Sequence, residues 1–118
     1  MNVVYSIASR RTVRILSVNS LLDEWQNRQI LKELQHRSDI ETNHLVIDLA
    51  QMDLIGSAGI NFLLILFLNS KKNGKRFALA NASGKIKQLL QITKLSSVFS
   101  IQNSVEKAVE TLEYPIAA

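Results

Sequence analysis

The chain has 118 residues, of which 47% are hydrophobic and 20% charged, and its formal net charge is +4; that length suits one domain around a single hydrophobic core and is too short for two. It contains no cysteine, which excludes disulfides, thiolate metal sites and thiol nucleophiles. Its basic residues are scattered apart from Lys71, Lys72, Lys75 and Arg76, without interleaved aromatics or a known motif, so no direct nucleic-acid binding is expected.

In chain order, two β-branched-rich runs, Val3 to Ala8 and Thr12 to Val18, predict paired strands around Ser9-Arg10-Arg11. No charged n-region precedes an apolar run, so no signal peptide is expected and the cytoplasm is the default location. Leu22, Trp25, Ile30, Leu31 and Leu34 give a helical stripe over Leu22 to Arg37, closed by the polar stretch Ser38 to Asn43. His44 to Leu49 is nearly continuous in apolar residues, the pattern of a strand covered on both faces.

Gln51-Met52-Asp53 and Leu54-Ile55 then lead into Gly56-Ser57-Ala58-Gly59 and an apolar helix ending near Lys72, with Asn73-Gly74 as its stop signal. The apolar run Ile60 to Leu68 is about half the ~20 residues a spanning helix needs, and it contains Asn61, so a core helix is expected and membrane insertion is not. Arg76 to Ala80 predicts a fourth strand. Ser83 caps a helix carrying Ile86, Leu89 and Leu90, and Val98 to Ile101 predicts the last strand. Asn103 and Glu106 have capping-box spacing before the stripe Val105, Ala108, Val109 and Leu112, and Pro115 begins a tail. The fold class is therefore α/β: a mixed, mostly parallel sheet of about five strands with about four helices. One domain spans residues 1–118, with its core at about 3–112 and a tail at 113–118.

The serine between glycines has several readings. As a helix N-cap, Ser57 Oγ accepts a hydrogen bond from a free first-turn N–H, worth ~1 kcal/mol. As a nucleophile it lacks the Gly-x-Ser-x-Gly elbow, because Ile55 stands two residues before it, and the candidate bases, His36 and His44, both precede it. No enzyme activity is expected. As a phosphate cradle the turn lacks the Walker pattern, so no nucleotide, cofactor or metal site is assigned. A phosphate attached covalently to Ser57 would use the same helix-end field without a pocket, adding roughly two negative charges.

At ~100° per residue, Gly59, Ile60, Leu63, Leu66 and Phe67 share one arc, which should face the sheet. Ser57, Asn61, Ile65, Leu68 and Lys72 share the opposite arc, which should face solvent. Ile65 and Leu68 beside a polar residue suggest a docking face; the alternative is a neighbouring helix that covers them.

Val46-Ile47-Asp48-Leu49 followed by Ile55-Gly56-Ser57-Ala58-Gly59-Ile60 resembles the STAS domain family, which includes bacterial anti-sigma factor antagonists. The resemblance continues through Lys71-Lys72-Asn73-Gly74-Lys75, Phe77-Ala78-Leu79-Ala80 and Leu89-Leu90-Gln91-Ile92-Thr93-Lys94-Leu95 with Val98-Phe99-Ser100-Ile101. It covers nearly the whole chain. What it implies is a STAS-like fold and a partner-switching regulator that binds an anti-sigma factor acting also as an ATP-dependent serine kinase. Phosphorylation at the position of Ser57 would abolish binding, and a PP2C-type phosphatase would restore it. On this reading the partner-binding residues are Gly56, Ser57, Ala58, Asn61, Ile65 and Leu68. Gly56 stands where the family motif has aspartate, and Ala58 where it has a second serine. The alternative is a constitutive STAS scaffold or accessory subunit of a transporter or another signalling complex. A homodimer through the sheet edge is also left open.

Overall fold

Alternation along the strands sorts their side chains into two apolar layers. The computed structural model describes residues 5–10, 12–20, 24–36 and 44–113. In it β1 (Tyr5–Arg10) pairs antiparallel with β2 (Val13–Val18), while β2, β3 (His44–Asp48), β4 (Phe77–Ala80) and β5 (Ser100–Gln102) run parallel. The five strands lie in sequential order β1-β2-β3-β4-β5. Helices α1 (Glu24–His36), α2 (Ser57–Lys72) and α3 (Gly84–Ile92) form the crossovers, and α4 (Val105–Glu113) follows β5.

Leu16, Val18, Leu45, Ile47, Phe77 and Leu79 pack in one cluster with Ile30 and Leu34 of α1, Phe62, Leu63 and Leu66 of α2, and Ile86 and Leu90 of α3. The residues between them, Val13, Ile15, Val46, Ala78 and Ala80, pack with Ala108, Val109 and Leu112 of α4. Three helices therefore cover one face and α4 the other. Crossovers of one hand in a sequentially ordered sheet put their helices on the same side. The chain beyond β5 has no further crossover to make, and its apolar stripe closes the second face. The expectation for β3 holds, since its side chains are buried on both faces.

Local chemistry fixes the ends of these elements. Past Asn73 at the end of α2, Gly74 takes φ +68°, its N–H donates to the Lys71 carbonyl, and the Lys75 N–H donates to Ser70. These are the two bonds of a Schellman turn, and the left-handed residue in it favours glycine. Arg76 Nη1 donates to the Thr111 and Leu112 carbonyls at 2.9 and 3.4 Å, capping the negative end of α4. At the other end of the sheet Asp48 ties β3 to β2 and to the residue after β4. Its Oδ1 accepts from the Ala50 N–H and from Asn81 Nδ2, and its Oδ2 accepts from Ser17 Oγ.

Several expected boundaries shift. The predicted helix from Leu22 is seen from Glu24. Val3, Val4, Arg11, Leu22, Arg37, the stretch Ser38 to Asn43 and the tail from Pro115 lie outside the described residues. The last strand is Ser100–Gln102 rather than Val98 to Ile101, because a short 3₁₀ turn, Leu95–Ser97, occupies the connection. Ser83 caps α3 as expected, accepting from the Ile86 N–H at 3.2 Å. The cap of α4 moves by one residue: Ser104 Oγ, not Asn103, accepts from the Lys107 N–H at 3.1 Å. A hydroxyl three residues before that N–H has the spacing a cap needs.

His44, half-buried at the amino end of β3, accepts the Arg76 N–H on Nδ1 at 2.9 Å. Burial holds its pKa below the ordinary 6.5, with the charges of Lys75 and Arg76 acting in the same direction. The unfolded chain therefore binds more protons between the lowered folded value and 6.5. Stability should be full above pH 6.5 and decline as pH falls through 6.5 towards the folded pKa. Urea unfolding between pH 8 and 5 should show that decline, and His44→Asn, which keeps an acceptor without the titration, should flatten it.

Candidate functional site

The segment joining β3 to α2 is held at several points. Met52 and Ile55 are buried in the core, and the Met52 N–H donates to the Leu49 carbonyl. From α3, Ser83 Oγ donates to the Asp53 carbonyl at 2.8 Å while accepting from Ile86, and Lys85 pairs with the Asp53 carboxylate at 3.1 Å in solvent. Between the two buried residues Leu54 points outward, 65% exposed. The connection thus delivers Gly56 and Ser57 in a defined place.

Gly56, not Ser57, is the N-cap of α2, which corrects the capping expectation. Its backbone is extended (φ −98°, ψ −175°), and the Ile60 N–H donates to its carbonyl at 2.9 Å. Ser57 is the first helical residue, and no side chain caps this end. The reason is positional: a cap hydroxyl reaches back to N–H groups two or three residues ahead only from the flanking, extended residue. The N–H groups of the first turn have no partner within the helix, and no acidic residue stands there to balance the dipole. Gly56→Asp meets no backbone conflict at these angles. It should stabilise the fold by about 0.5 kcal/mol through the missing cap and charge, measurable as a raised urea midpoint.

The solvent arc of α2 is as expected. Ser57, Asn61, Ile65, Leu68 and Lys72 are exposed, with Ile65 at 41% and Leu68 at 60%, and Gly56 and Ala58 are half-buried. No described helix lies over Leu68. On the opposite arc Gly59, Leu63 and Leu66 are buried, Ile60 and Phe67 half-buried, and Phe62 joins them, a residue the arc did not include. Gly56, Ser57, Ala58, Asn61, Ile65 and Leu68 are brought together because one helix and its cap carry them all. What sequence reasoning missed is the contribution from elsewhere. Leu54, three residues before Ser57, is a further exposed apolar side chain; an apolar residue between two buried ones in a short connector is its only signal. From α1, Asn27, Arg28 and Leu31 form a groove of about 190 Å³ with Ala58, Asn61, Phe62 and Ile65. No pattern in the sequence pairs α1 with α2 at those positions.

A nucleophilic serine would need a base, and the structure does not supply one from the candidates. His44 stands at the amino end of β3, and His36 ends α1 on the approach to that same edge. Ser57 follows the carboxyl end. Among the described residues there is no cluster of three His, Cys, Asp or Glu able to hold a metal ion, and no helix is long and apolar enough to cross a membrane.

The STAS domain family model matches residues 5–108. An anti-sigma factor antagonist from Mycobacterium paratuberculosis superposes with a TM-score of 0.79 at 18% identity, covering 96% of both chains. The anti-sigma factor antagonist SpoIIAA in its unphosphorylated form gives 0.76 at 14% identity, covering 97% of this chain and all of the other (100%). The murine anion transporter Slc26a9, in its inward-facing state, gives 0.72 at 20% identity; the match covers 86% of this chain and 18% of the transporter. At these identities the superpositions establish a shared fold.

Proposed function

This chain belongs to the STAS domain family, and from that premise we propose that it is a partner-switching regulator of the anti-sigma factor antagonist type. In its unmodified state it binds an anti-sigma factor that is also an ATP-dependent serine kinase, using Gly56, Ser57, Ala58, Asn61, Ile65 and Leu68. Phosphorylation of Ser57 releases the partner, and a PP2C-type phosphatase resets the switch. The observation that carries this reading is the state of Ser57: exposed, free of any capping role, and on the same helix face as the exposed apolar side chains of Ile65 and Leu68. Its modification costs the helix nothing that the hydroxyl supplied. A phosphate at the first helical position is favoured by the dipole, so the folded domain tolerates it. A partner surface shaped for a hydroxyl does not, because a buried dianion must be desolvated.

Incubation with the cognate kinase and ATP should add one phosphate by intact mass, and Ser57→Ala should prevent it. A chain left unmodified by every candidate kinase, whose Ser57→Asp variant binds partners as well as the parent does, would sink the switch. A second reading, a constitutive scaffold or transporter-associated subunit, is favoured by Gly56 at the position of the motif aspartate and by the likeness to the anion transporter. Co-purification separates the two: a kinase-like ATPase supports the switch, a membrane transporter the scaffold.

A further inference from the structure

One cation on the groove between α1 and α2 has no anion to meet. Arg28 lies on the exposed side of α1 and lines the groove it shares with Ala58, Asn61 and Ile65. Among the described residues it forms no ion pair or hydrogen bond, and none of the groove's lining residues is acidic. The first turn of α2 contains no carboxylate either. Arg28 thus shares a groove without acidic lining with Ala58 and Asn61, the residues that follow Ser57 at the uncompensated start of α2.

We propose that Arg28 receives the phosphate of modified Ser57, its guanidinium pairing with the phosphoryl oxygens across the α1/α2 groove and closing over Ala58 and Ile65. The proposal rests on Ser57 being the phosphoacceptor. Packed helices stand roughly 8–10 Å apart axis to axis, a gap that an extended arginine and a phosphoserine span between them. Asn61, one turn after Ser57, lines the groove between the two and offers its amide to the same oxygens. The planar fork of arginine matches phosphate as a bidentate partner. Modification then does two things to a docking face. It adds charge, and it draws a long side chain over the part of the groove that a partner would contact.

The test installs phosphoserine at position 57 of the full chain during translation, so that no kinase is needed. Phosphorus NMR then reads the second ionisation of the phosphate, whose ordinary pKa is about 6. Arg28→Gln should raise that value by about 0.3–0.7 of a pH unit, the size expected of an exposed charge pair, and Arg28→Lys by less. Lys107→Gln, which removes an exposed cation on α4 across the sheet, is the control. An Arg28→Gln shift no larger than the control's overturns the pairing. No partner enters this measurement, so a failure of the proposed switch and a failure of the Arg28 contact are told apart.

Discussion

On the proposed partner-switching function, Ser57→Asp should weaken binding to an anti-sigma factor kinase by ~100-fold or more, on the order of 3 kcal/mol, while leaving the fold intact. Ser57→Ala should bind like the parent. The pair separates charge from hydroxyl at one exposed position. The structure adds a second readout that the capping reading would not predict. Because Gly56 is the N-cap and Ser57 makes no capping bond, Ser57→Ala should change unfolding stability by less than ~0.5 kcal/mol. A loss near 1 kcal/mol would mean that the hydroxyl serves the helix after all. Isothermal calorimetry against the purified partner gives the first quantity, and urea titration of the free domain the second.

Phe99→Ala should be among the most destabilising single changes, costing ~3–5 kcal/mol and bringing the domain close to unfolding. Phe99 is 4% exposed, and its ring lies 5.6 Å from Phe67 and 5.8 Å from Phe77, with those two 5.9 Å apart. Two of the three contacts are edge-on, the arrangement aromatic quadrupoles favour. The three residues come from α2, β4 and the connection into β5. Removing the ring therefore opens a void where a helix, a strand and the connection into β5 meet, and it frees the turn that sets the short last strand. Phe99→Leu should recover most of the loss. Urea unfolding at pH 7.5, above the titration of His44, isolates this effect from the pH-dependent one.

The two changes act on different layers of the molecule. Ser57 lies on a surface that contributes little to stability, so it is free to be modified. That freedom depends on the rigid connection behind it. Met52 and Ile55 anchor in the core, Asp48 ties β2, β3 and the residue after β4, and Ser83 holds the loop from α3. The face proposed for the switch is held in place by these contacts of the folded domain.

Much of this was readable along the chain because the signals are local. The apolar run Leu45 to Leu49 announced a strand buried on both faces, and Asn73-Gly74 ended α2 through the left-handed geometry that glycine tolerates. The solvent arc of α2 followed from helical periodicity alone, since a 16-residue helix carries its own map of inside and outside. Capping was less legible. The spacing before α3 singles out Ser83, but at α2 and α4 neighbouring residues can each serve, and the backbone angle of one residue decides between them. Long-range matters were not legible at all. The groove shared by Arg28 and Asn61, the bond from Arg76 to the end of α4, and the Phe67–Phe77–Phe99 cluster join residues far apart in the chain. Periodicity says which side of a helix turns inward; it does not say which other helix stands beside it. That depends on how the crossovers stack on the sheet, and the packing of the whole domain sets it.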